Sequence, residues 1–363
     1  MAYNSLSSYT AAVLTDGSSA TLAKGFPAAP AAVIPTDGIL PATKNQNYVS
    51  VNSRYRDPEV TSYNLTVEQQ LGSAWVLDVA YVGNQGRFIP GNYNLNAATV
   101  AGLGAKGQPY FNKYGTTAAI ELLPKETSSN YNSLQTRLTH RFSEGLELTS
   151  AFTYQKAMGF ISTGGGLGGF NFYIDPQRDY SVLSFNRTLT LSNSVIYALP
   201  FGKDRRFINH GVAAFLVGGW QVSGVNHIES GTPLFITDSG RALNTPGTTQ
   251  VPDQVGKFKR LKAIGPGHPW FDQTAFASHP GTTLGNLGKN VYSGPGSVTF
   301  DAAVFRSFDL PERAQLQFRV DAFNAFNHPT FNNPDTAYTD VNFGSVTSAG
   351  QGRSLQLAAT VKF

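Results

Sequence analysis

Cysteine is missing altogether from the 363 residues, which excludes a disulfide framework and any thiolate metal site. Charge is sparse as well: Asp, Glu, Lys and Arg make up 14% of the chain, and the net charge is only +4. The basic clusters, Lys203-Asp204-Arg205-Arg206 and Lys257-Phe258-Lys259-Arg260, are too short to mark a nucleic-acid surface, so no nucleic acid is expected as a partner. Long apolar runs are absent too. The nearest, Val212 to Val217, falls far short of the roughly 18 residues a membrane helix needs and reads as a glycine-flanked loop. The start, Met1 to Tyr9, lacks the basic and apolar regions of an export signal, and we read the chain as the tail of something longer.

What is abundant points to β-structure. The chain holds 37 Gly, 25 Phe and 16 Tyr, with much Asn, Ser and Thr, a mixture that suits turns and aromatic strands better than helices. Its ending is the clearest local signal. Leu355, Leu357, Ala359, Val361 and Phe363 share one face of a strand, and Ser354, Gln356, Ala358, Thr360 and Lys362 share the other. From this segment alone a sandwich edge and a barrel seam are equally good readings.

Residues 1–59, with Pro27, Pro30, Pro35 and Pro41 and no sustained period, are expected to form one long loop region. Residues 60–363 are expected to form one truncated membrane β-barrel domain, because alternating segments of about ten residues begin at Val60. Leu65, Val67 and Leu71 turn at Gly72-Ser73 into Trp75, Leu77, Val79 and Tyr81. Leu134, Leu138 and Phe142 turn through Ser143-Glu144-Gly145 into Leu146, Leu148, Phe152 and Tyr154. A third pair joins Leu189–Leu199 to Trp220–Ile228, and a fourth joins Phe300–Val304 to Leu316–Ala322. With the terminal strand these make about nine, and one or two more fit between Pro233 and Phe276.

Short turns at 72–73, 143–145 and 309–313 alternate with long loops at roughly 84–130, 157–185, 230–297 and 327–351. That asymmetry is expected of an outer-membrane barrel with short periplasmic turns and long extracellular loops. Trp75, Phe142, Trp220 and Phe308 then fall at the same rim as Phe363, as interfacial aromatics would. Two polar residues fall on the side assigned to lipid. For Arg306, snorkelling or a bulge is the expected remedy; for Asn193, a local error in register. The opposite rows, Gln135, Arg137, Thr139 and Arg141, and Gln315, Gln317, Arg319 and Asp321, are the lumen-facing candidates. Mutual cross-strand pairing, such as Arg319 with Asp321 or a neighbour, explains them equally well.

Taken in order, several stretches resemble the C-terminal barrel region of the TonB-dependent receptors, in particular the Oar-like branch common in acidobacterial genomes. They are Asn64–Gly72, Ala80–Gly83, Asn130–Gln135, Ala198–Gly202, Gly218–Gly224, Ser230–Pro233 and Phe318–Pro329. The resemblance implies an outer-membrane barrel filled by an N-terminal plug and taking up a scarce, unknown ligand. It also implies partners: outer-membrane lipid, the barrel-assembly machinery reading Phe363 as an assembly signal, and a TonB-type energy-coupling protein acting through the plug. Plug, coupling segment and enough strands for a full barrel are not recognisable here, so the expectation is a fragment, an incomplete C-terminal portion of an all-β, antiparallel transmembrane barrel. The rivals are a barrel-anchored surface binding or adhesion protein and a soluble all-β structural protein.

Signals for chemistry are poor, and the chain reads as no enzyme. Gly164-Gly165-Gly166-Leu167-Gly168-Gly169 satisfies a dinucleotide pattern without its strand-to-helix context, and Gly285–Asn290 lacks the spacing of a P-loop. The histidines, His140, His210, His227, His268, His279 and His328, have no metal-ligand spacing, and His140 is expected at an interfacial position near a rim. No catalytic, cofactor-binding or metal residue is assigned, and no cofactor is expected.

Overall fold

A computed structural model describes residues 47–143, 145–161, 168–203, 205–239, 241–311 and 314–363. Most of the Pro-rich opening and the glycine run at 164–167 therefore lie outside the described residues.

The strands are β1 (Tyr48–Val51), β2 (Glu59–Leu71), β3 (Trp75–Asn94), β4 (Ile120–Ser143), β5 (Leu146–Gly159), β6 (Ser181–Val182), β7 (Leu189–Ala198), β8 (Trp220–Glu229), β9 (Pro233–Leu234), β10 (Asp253–Gln254), β11 (Phe276–Ala277), β12 (Tyr292–Ser293), β13 (Ser297–Asp309), β14 (Gln315–Phe323) and β15 (Ser354–Lys362). Nine long ones form the antiparallel path β15-β14-β13-β8-β7-β5-β4-β3-β2, while β1 lies parallel against β4. β1 thus adds a strand inside the segment expected to be loop. Between Pro233 and Phe276 the extra strands are two-residue fragments, β9 and β10, with β11 beginning at Phe276. β2 and β15 are not paired with each other, so the described residues form an open wall.

Register explains why these residues make a wall. Leu65 lies opposite Tyr81, Tyr81 opposite Leu134, and Leu134 opposite Tyr154, which faces Leu189. Farther across, Val222 faces Tyr197 and Val304, Val304 faces Val320, and Val320 faces Leu357. Directly opposed residues share a face, so every apolar row joins its neighbour into one band. Leu65, Tyr154, Leu189, Val304, Val320 and Leu357 are all exposed. Each such side chain left in water forfeits roughly 1.5–3 kcal/mol of burial energy, and a band this wide does not remain in water. A soluble all-β protein would have to cover it.

Both residues that offended the sequence pattern are in register, with no bulge. Asn193 faces Asn226, whose Oδ1 accepts from Asn193 Nδ2 at 3.2 Å, and Asn226 Nδ2 donates to the Thr299 carbonyl at 3.0 Å. Two mid-strand amides thus satisfy each other, which corrects the expected register error. Arg306 faces Trp220 and Phe318 on the apolar side, and its charge is covered rather than snorkelled, as described below.

The buried core sits outside the wall. Phe172, Leu234, Ile236, Val251, Phe271, Phe276, Leu287, Phe343 and Val346 form one cluster, with Phe258 stacked on Tyr292 at 3.9 Å against its flank. These residues come from the connections β5–β7, β8–β13 and β14–β15, all at the end opposite the short turns. The β3–β4 connection joins them where Ala98 N donates to the Pro246 carbonyl at 2.8 Å and Gly102 N to the Leu243 carbonyl at 3.0 Å. The long loops are therefore one packed lobe. Strands β3 and β4 also run well past the expected limits at residues 84 and 130, since Asn84–Gly86 and Ser129–Tyr131 still pair after the apolar alternation has faded.

Candidate functional site

The polar side of the wall carries the rows read from sequence. Gln135, Arg137 and Thr139 face Ala80, Asp78 and Val76 in β3, and Arg141 follows at the rim, where the β4–β5 register shifts after His140. Asp78 is the partner that the sequence did not reveal: Arg137 Nε lies 2.7 Å from its Oδ2. In β14, Gln315 donates to Asp309 and Gln317 to Ser307, each at 3.2 Å. Arg319 pairs with Asp321, the partner named from sequence, but within its own strand rather than across strands, Nη2 to Oδ1 at 2.8 Å. The two rows share a face but are not brought together. β5, β7, β8 and β13 lie between them, a separation of about 24 Å along the sheet at 4.8 Å per strand.

A third polar group fills that gap. Glu229 accepts from Arg187 Nη2 at 3.1 Å and from Ser297 Oγ at 3.0 Å and lies 3.4 Å from His227 Nε2, while His227 Nδ1 contacts Ser192 Oγ at 2.8 Å. No sequence motif contains these residues. Alternation places Ser192, His227, Glu229 and Ser297 on the polar side, and only the pairing of β7, β8 and β13 gathers them.

The aromatics chosen from sequence all stand at the short-turn end. Trp75 meets His140 edge-on with centroids 4.5 Å apart, and the His140 ring, nearly buried, lies 3.0 Å by Nδ1 from the Leu146 carbonyl. Phe142 is exposed. Trp220 and Phe308 flank Arg306, whose guanidinium carbon lies 5.9 and 4.3 Å from their ring centres. Phe363 follows β15 at the same end, fully exposed.

The lobe holds the other polar surface, a cleft of about 550 Å³ lined by Thr237, Asp238, Ser239, Asn244, Thr245, Thr248 and Gln250. The lobe also encloses an ionic centre. Asp179, fully buried, takes Lys289 Nζ at 2.8 Å and the backbone N–H groups of Asn171 and Phe172 at 3.0–3.1 Å. Lys289, in the Gly285–Asn290 stretch, is thus occupied.

Asp253 accepts from the His279 ring (Nδ1, 2.8 Å), and His279 Nε2 lies 2.8 Å from Thr283 Oγ1. The order is that of a nucleophilic triad, but the Asp253 carboxylate also accepts the Asn286 N–H at 2.9 Å, and none of the three lines the lobe cleft. We read it as a loop clasp. The hydrogen bond from His279, then that from Asn286, holds the Asp253 carboxyl below its ordinary 3.8. A depressed folded-state value means that the clasp contributes fully above the ordinary range and weakens as pH falls through the depressed one. The protection of the Asn286 amide against exchange, relative to its intrinsic rate at each pH, is therefore expected to fall at strongly acidic pH, and Asp253→Asn should remove that change in protection. Among the described residues no group of three or more His, Cys, Asp or Glu could hold a metal ion.

Over residues 1–356 the chain matches the family model of the outer membrane beta barrel domain. The chain belongs to that family. It is an outer-membrane β-barrel protein, and in that setting its exposed apolar band faces lipid. Similar solved structures include the outer membrane transporter YddB from Escherichia coli, with 13% identity and a TM-score of 0.49 over 87% of this chain and 34% of that one. A ferric enterobactin receptor mutant from Pseudomonas aeruginosa has 12% identity and a TM-score of 0.44, with 86% and 32% covered. The ferripyoverdine receptor of that organism has 11% and 0.42, with 85% and 29% covered. The chain thus spans about a third of the length of these proteins. No curated protein matches it.

Proposed function

We propose that these residues are the C-terminal barrel wall of a TonB-dependent transporter, of the Oar-like kind, that takes up a scarce ligand. The observation that carries this reading is the two-sided wall capped by a folded lobe at the end away from the short turns. In it, the lumen-facing candidates on β4 and β14, with the Glu229 group between them, meet a plug and passing solute. The short turns lie in the periplasm and the lobe lies outside, where its hydroxyl- and amide-lined cleft meets a hydrophilic ligand first. The test is uptake of hydrophilic ligands by cells expressing the protein: uptake that stops when the inner-membrane proton gradient is dissipated is expected, and uptake indifferent to that gradient overturns the proposal.

A second reading, a surface binding protein anchored by the barrel, is favoured by the lobe's own hydrophobic core. Arg137→Ala separates the two. Arg137 is itself largely exposed to solvent, which screens the pair, so folding should change by about 1 kcal/mol or less. Uptake through the lumen should fall, whereas binding at the lobe should not change. Phe363, exposed after the final strand, is proposed as the signal for barrel assembly. Phe363→Ala is expected to lower the amount of heat-modifiable barrel recovered from the outer membrane, with synthesis unchanged.

A further inference from the structure

The connection between β7 and β8 contains a short helix, α2 (Gly211–Val217), where the sequence reads as loop. Its side of the wall is fixed by Arg306. That residue stands on the apolar face opposite Trp220 and Phe318, yet it is nearly buried. Its Nη1 donates to the Leu216 carbonyl at 2.9 Å and its Nη2 to the Phe215 carbonyl. Trp220 Nε1 donates to the Leu216 carbonyl as well, at 3.0 Å, and Phe215 packs near Phe308 with centroids 6.3 Å apart. The helix end therefore lies against the lipid side of the wall, at the short-turn rim. Close contact of two glycines makes the fold-back possible: a Cβ on Gly218 would stand 2.7 Å from Gly202 Cα and 2.5 Å from the Ala214 carbonyl oxygen.

Two exposed surfaces result. Val212, Phe215 and Leu216 project from the helix into open space beside the lipid band. Lys203, Arg205 and Arg206, which outnumber Asp204, are exposed on the segment leading to it, with Phe207 and Ile208. A cleft of about 460 Å³ opens between helix and wall with Lys203 and Arg306 among its lining. Apolar side chains continuous with a lipid band, bordered by cations at the level of the rim aromatics, suit a membrane interface.

We propose that the β7–β8 connection is an interfacial anchor. Val212, Phe215 and Leu216 insert among the acyl chains of the adjoining leaflet, and Lys203, Arg205 and Arg206 engage its anionic phosphate headgroups. Arg306 is the positioning residue that holds the helix to the wall and keeps a charge out of lipid. The proposal rests on the apolar face being the lipid face, and its test separates the two.

The chain has no cysteine, so single cysteines can carry an environment-sensitive fluorophore at Phe215→Cys and, in the wall, at Val320→Cys. The full chain is reconstituted in vesicles of phosphatidylcholine with phosphatidylglycerol, and bromolipid quenching is read. Loss of emission at position 215 comparable to that at position 320 is expected, together with a blue shift. Adding Lys203→Gln, Arg205→Gln and Arg206→Gln should reduce quenching at 215 in anionic vesicles and leave it unchanged at 320. Water-like emission at 215 with lipid-like emission at 320 would overturn the anchor, pointing to a protein partner or the lumen instead. Unchanged quenching in the triple variant would overturn the headgroup contact. Water-like emission at both positions would refute the lipid face itself.

Discussion

Asp179→Ala is expected to destabilise the lobe by about 3–5 kcal/mol while leaving the wall paired. The carboxylate is fully buried and takes three donors, Lys289 Nζ and the N–H groups of Asn171 and Phe172. Removing it strands an ammonium that is itself buried, and breaking one side of a buried pair costs about that much. The donors also tie two connections together, β5–β7 through Asp179 and β8–β13 through Lys289. Arg178 reinforces the joint by donating to the Gly285 and Leu287 carbonyls at 2.8 and 2.7 Å. The wall's ladder does not pass through this centre, so the lobe should open as a local unit. Limited proteolysis within residues 230–296 should become rapid, with heat-modifiable mobility of the barrel retained. Asp179→Leu with Lys289→Met should recover part of the loss, because the unpaired charge is gone but two backbone donors remain unmet.

An arginine at Val304 is expected to cost about 2–4 kcal/mol in a bilayer. Val304 lies mid-strand, directly opposite the apolar Val222 and Val320. Arg306, only two residues on, is tolerated because two carbonyls of α2 and three rings receive it. Thr153→Arg, on the polar face opposite Gln135 and Thr190, should shift stability by less than about 0.5 kcal/mol. Denaturant midpoints of the reconstituted protein compare the two.

How much of this was legible follows from periodicity. The nine long strands were readable because their two faces meet different environments, which writes a period of two into residues such as Leu316, Phe318 and Val320. The outer ends of β3 and β4 were not, since Asn84, Gln85 and Asn130 pair through backbone with no face to mark. The lobe was illegible for a different reason. Phe172, Phe271 and Phe343 meet across long stretches of chain, and contacts of that kind leave no local pattern. The polar rows on β4 and β14 could be named but not their partners, because Asp78 and Asp309 sit on neighbouring strands. Arg306 was the one anomaly that carried information: a charge on the wrong face meant that something covered it.

The central claim is that one face of the wall meets lipid and the other water. Single spin-labelled cysteines along β13, from Val298 to Phe305, test it directly by accessibility in a bilayer. Positions 298, 300, 302 and 304 should be open to dissolved oxygen, and positions 299, 301, 303 and 305 should be closed to it or reached by a polar reagent instead. Accessibility without a period of two, or with the sets exchanged, would contradict the account.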